Sequence, residues 1–79
     1  MPKLTIISGK KMIKFLERCG FEIVRIKGSH HFLKNASNGF ITTVPVHNNE
    51  DLGMRMIKDI LSDINMDRKE YEKLRKKRK

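Results

Sequence analysis

Seventy-nine residues make a single domain with room for only a modest core. The lone cysteine, Cys19, excludes an intramolecular disulfide, the three histidines and one thiol lack zinc-type spacing, and no apolar run approaches a membrane span. The net charge of +9 suits a polyanionic partner or a solvated cationic surface, and it is uneven: residues 1–49 hold 8 Lys/Arg against 2 acids, residues 50–72 hold 4 against 7, and residues 73–79 hold 6 against none.

In chain order, Leu4-Thr5-Ile6-Ile7 is a short β-type run that leads into the first helix. Ser8 is suited to cap that helix, because its hydroxyl can accept from a free N–H of the first turn, and Ile7 with Met12 has the spacing of a hydrophobic staple. Met12, Phe15, Leu16 and Cys19 recur at i, i+3, i+4 and i+7, which predicts a helix over about residues 9–19, ended by Gly20. Its other face carries Lys10, Lys11, Lys14 and Arg18, a basic stripe suited to phosphates and equally to solvent.

Phe21 to Lys27 is rich in β-branched and aromatic residues and reads as strand one. Its apolar residues Phe21, Ile23, Val24 and Ile26 do not alternate, so both faces are expected to be partly covered. Gly28-Ser29 is a hairpin turn, His30 to Asn35 is strand two, and Ala36-Ser37-Asn38-Gly39 is a second turn. Phe40 to Val44 is strand three, ended by Pro45, which lacks a ladder donor.

Val46 to Asp51 is a polar loop in which Asn49 or Asp51 can cap the next helix. Met54, Ile57, Ile60, Leu61 and Ile64 keep helical spacing and predict helix two at about 52–64, with Asn65 ending it. Asp67-Arg68-Lys69-Glu70 reads as a capping box opening a short third helix. The expected division is one domain over residues 1–74 and a disordered basic tail over 75–79. The order α-β-β-β-α with a short C-terminal helix predicts an α+β fold. A three-stranded antiparallel meander would be covered on one face by helices one and two, leaving the other to solvent or ligand.

Lys27-Gly28-Ser29-His30-His31-Phe32 gathers a cation, a flexible glycine, a hydroxyl and two imidazoles. Histidine takes and gives protons near neutral pH, and a glycine beside it lets a phosphate backbone approach. The same residues would also serve as a plain turn opening a strand. Side chains alternate along a strand, so His30 and Phe32 share one face while His31 and Leu33 share the other. The two histidines therefore cannot both line one site on a regular strand. His47 lies beyond strand three and reaches the Gly28-Ser29 end only if the strand ends align.

Gly28-Ser29-His30-His31, Val44-Pro45-Val46-His47, and Gly53 ahead of a helix with Ile57 and Ile60-Leu61 together resemble the HicA toxins of type II toxin–antitoxin systems. The resemblance runs from helix one to about Asn65. It implies a double-stranded-RNA-binding-like fold, mRNA cleavage, and neutralisation by a HicB-like antitoxin. The family's motif histidine falls on His30, with His31 directly after it. The family often has a proline and then a basic residue after the position of His47, where this chain reads Asn48-Asn49-Glu50-Asp51.

Cleavage without a metal uses the RNA's own 2′-hydroxyl and needs a base, an acid and a cation. His30 is the candidate catalytic residue, and His31 is the alternative. Lys10, Lys11, Lys14, Arg18, Lys27, Gly28, Ser29 and His47 are candidate RNA contacts. Lys27 can stabilise charge on phosphorus, and backbone N–H groups around Ser29 can approach a phosphate. The expected protein is a cytoplasmic mRNA interferase with no cofactor and no membrane anchor, its oligomeric state left open. The same fold order and charge also suit an RNA-binding module without catalysis.

Overall fold

Ser8 opens the first helix as its chemistry suggests: its hydroxyl accepts from the Lys11 N–H at 3.2 Å. The computed structural model describes residues 4–76. Helix α1 spans Gly9–Arg18, followed by strands β1 (Phe21–Lys27), β2 (His30–Asn35) and β3 (Ile41–Pro45), then helices α2 (Met54–Asp63) and α3 (Arg68–Lys76). The strands form one antiparallel sheet in the order β1-β2-β3. Helix α1 packs on β1 and β3, and α2 packs on β3. The core lies between that helical layer and the sheet, where Met12, Leu16, Leu33, Val44, Ile57 and Ile60 are buried. This is the predicted α+β architecture, with one sheet face left open.

The turns follow local backbone chemistry. Gly20, Gly28 and Gly39 all take positive φ, and Asn65 ends α2 at φ 55°. Asp67 caps α3 by accepting from the Glu70 N–H at 2.8 Å.

Four expectations are corrected. Strand β1 is not covered on both faces: only Phe21 is buried, and Ile23, Val24 and Ile26 are 37%, 55% and 58% exposed. Its broken alternation is a β-bulge, because the pairing slips between Ile23 and Arg25. Strand β3 runs from Ile41 and keeps Pro45 as its last residue, paired with His30, which an edge strand tolerates. Helix α2 is capped by Gly53 with no side-chain bond, not by Asn49 or Asp51. Asp51 instead bridges to Ser8, and the Leu52 N–H donates to the Ile7 carbonyl at 2.9 Å.

The fourth correction concerns the tail. Arg75 and Lys76 belong to α3 rather than to a disordered segment; residues 77–79 of that expected tail lie outside the described residues. The helix is held by a clasp on Thr5. The Thr5 N–H and hydroxyl donate to the two Glu72 carboxylate oxygens at 2.8 and 2.9 Å, and the Thr5 carbonyl accepts from the Tyr71 hydroxyl at 2.7 Å. Arg75 donates to Thr5 Oγ1 at 3.2 Å and to Glu72 at 2.9 Å. The fully buried Tyr71 ring meets Phe15 edge-on, with centroids 5.4 Å apart. Burial pushes its phenol up to about 12, so it remains a donor.

Candidate active site

The β1–β2 hairpin turns on Gly28 and Ser29, with Lys27 paired directly to His30. Gly28 sits at φ 60°, and nothing lies within 4 Å of where its Cβ would be. The backbone conformation thus favours glycine, and the turn is open to an approaching ligand. The Ser29 carbonyl accepts from the Val46 N–H at 2.8 Å and lies 3.2 Å from His31 Nδ1. A carbonyl only accepts, so Nδ1 is the ring nitrogen that donates in this contact.

Strand ends align here. His30 pairs with Pro45, and Val46 is bonded to Ser29, so His47 follows at the same end of the sheet as the turn. Helix α1 begins there too, because a Cβ on Gly9 would collide with the Pro45 carbonyl. Lys27, Gly28, Ser29, His30, His31 and His47 are therefore gathered at one end of the sheet, beside the first turn of α1 with Lys10. Lys27, His30 and His47 are exposed, while His31 is partly buried.

Register assigns the faces. Leu33 is buried against the helices, so His31, paired with Ile26 and Val44, lies on the helix side. His30 and Phe32 are on the open side. Three cross-strand rows line that side: Lys27-His30-Pro45, Arg25-Phe32-Thr43 and Glu22-Lys34-Ile41.

Not every candidate joins the site. Lys11 and Lys14 are exposed along α1. Arg18 lies about 12 Å along the helix axis from Lys10. Its guanidinium is engaged there, donating to the carbonyls of Leu74 and Arg75 at 3.4 Å and lying 5.9 Å from the Phe15 ring centroid. Arg25 was missed by sequence reasoning: strict alternation from Phe21 places it on the helix side, and the bulge at Val24 turns it outward. The same bulge brings Lys27 onto the face of His30. Lys34 was legible from its parity with His30.

The Cys19 thiol is raised by burial, which outweighs the nearby Arg18, so it is a poor nucleophile. Among the described residues no group of three His, Cys, Asp or Glu is placed to hold a metal ion, and no helix is long and apolar enough to cross a membrane.

A protein-family model described as the HicA toxin of bacterial toxin–antitoxin systems matches residues 9–66, from the start of α1 to just past α2. Helix α3 lies outside the match. No curated protein matches the chain.

Proposed function

The chain belongs to the HicA toxin family of bacterial toxin–antitoxin systems, and on that premise we propose that it is a cytoplasmic mRNA endonuclease that works without a metal and is silenced by a HicB-like antitoxin. The observation that carries this reading is the meeting of His30, Lys27, the open Gly28 turn and the His47 loop at one end of the sheet.

The chemistry balances on these groups. A base takes the proton of the RNA 2′-hydroxyl, O2′ bonds to phosphorus, and the bond from phosphorus to the 5′-oxygen breaks. An acid returns a proton to that oxygen, leaving a 2′,3′-cyclic phosphate and a free 5′-hydroxyl. His30 serves as the proton-transfer group. Lys27, directly across the strand pair, offsets charge on the phosphoryl oxygens. Gly28 lets the phosphate close on the backbone N–H groups of the turn. Lys10, Lys11 and Lys14 extend the cationic surface along α1. An antitoxin with an acidic surface would meet the same cations and compete with RNA.

A second reading gives the proton transfer to His31. Its hydrogen bond to Ser29 fixes the tautomer and orientation that a general base needs. Purified protein incubated with RNA in excess chelator decides these points. Cleavage by wild type and by His31→Ala, with loss in folded His30→Ala, supports His30. The reverse pattern supports His31. Binding without product in wild type, both in chelator and with added Mg²⁺, would replace the nuclease by a non-catalytic RNA-binding module.

A further inference from the structure

We propose that the open face of the sheet is a stacking platform for single-stranded RNA, centred on Phe32. The proposal rests on the RNA reading above and adds where and how the strand is held.

Phe32 is the middle residue of the middle strand's open side, with Arg25 and Thr43 as its cross-strand neighbours. Both sheet-packing helices lie on the opposite face. The ring is only partly buried, and the Arg25 guanidinium lies 5.9 Å from its centroid. An aromatic ring with a guanidinium beside it offers two flat surfaces to a base.

Charge selects the occupant. Lys27, Arg25 and Lys34 carry three cations across the three rows, against the single acid Glu22, which is paired across the strands with Lys34. An aromatic centre between cations matches a polyanion with flat apolar groups. An unpaired nucleic-acid strand has that chemistry, whereas a duplex keeps its base faces inside its own stack. His30 lies two residues before Phe32 on the same face, about 7 Å along the strand. A base stacked on Phe32 therefore brings its neighbouring phosphate to His30. The platform would set which linkage meets the catalytic group without reading base identity.

The test uses the full chain and a 2′-O-methyl oligoribonucleotide carrying 2-aminopurine. Its 2′-oxygen has no proton to lose, so binding is read apart from cleavage. Wild type should bind it and quench the 2-aminopurine emission through stacking. Phe32→Leu, which keeps an apolar side chain, should weaken binding by about tenfold and lose the quenching of bound probe. Phe32→Tyr should retain both, and Lys34→Gln should weaken binding while retaining the quenching at saturation. If Phe32→Leu binds and quenches as wild type does, the platform is wrong while RNA binding stands. If wild type binds no RNA at all, the functional reading falls, and the platform with it.

Discussion

Thr5 commits its N–H, hydroxyl and carbonyl to α3, whereas Lys27, His30 and His47 around the Gly28 turn have no side-chain hydrogen bond to any described residue. The clasp is assembled from Thr5, Tyr71, Glu72 and Arg75, all outside the 9–66 stretch that matches the family. The turn and its histidines lie inside that stretch. Within the clasp every buried polar side-chain atom but Arg75 Nε is engaged by a neighbour, whereas the side chains proposed to meet RNA are left open. Stability and chemistry should then respond separately to substitution.

The sharpest way to break that separation is to exchange the two effects. Tyr71→Ala should lower stability by about 3–5 kcal/mol in a denaturant titration, because a fully buried aromatic leaves a cavity and the Thr5 carbonyl loses its donor. His30→Ala should change stability by no more than about 0.5 kcal/mol, as an exposed residue does. It should nevertheless reduce cleavage by roughly 10²–10⁴-fold. A His30→Ala protein that unfolds as easily as Tyr71→Ala would erase the distinction.

Glu72 sharpens the comparison through pH. Burial alone would raise its carboxyl, but hydrogen bonds from Arg75 and Thr5 outweigh this and hold it below the ordinary glutamate range. Its contribution is present above the unfolded value of about 4.3 and is lost as pH falls through the lower folded one. Glu72→Gln should cost about 1–2 kcal/mol at neutral pH. It should also flatten the acid limb of the stability curve below about pH 4.3 relative to wild type.

The smallest effect separates cations by their present partners. Lys11→Gln and Lys14→Gln should each reduce the slope of log RNA affinity against log salt by about 0.7 if that residue neutralises one phosphate. Arg18→Gln should leave the slope near the wild-type value, because its guanidinium is already spent on the α3 carbonyls. An Arg18 effect as large as that of Lys14 would show that RNA pulls the guanidinium off α3.

Features carried by neighbouring residues were legible in the sequence. Ser8, Gly20, Gly28, Asn65 and Asp67 act within a few positions of themselves, so their caps and turns could be read directly. The opposite facing of His30 and His31 followed from parity alone. Which of them faced the helices depended on the buried Leu33 beside them. The bulge at Val24 exists only in the pairing of two strands, so Arg25 was missed. Gly53 has no side chain to announce a cap. Arg75 looked like part of a disordered run because its order comes from Thr5, which is distant in sequence.

Gly9 has no chemistry of its own, yet any side chain there would meet the carbonyl of Pro45, the residue paired with His30. In a culture where expression of the intact chain arrests growth, surviving colonies should include missense alleles at codon 9. A single-base change from glycine to serine, aspartate or valine would push α1 off the end of β3 and silence the protein with every histidine intact. Mapping such escape alleles would trace this contact through heredity, where a survey of catalytic groups would pass over it.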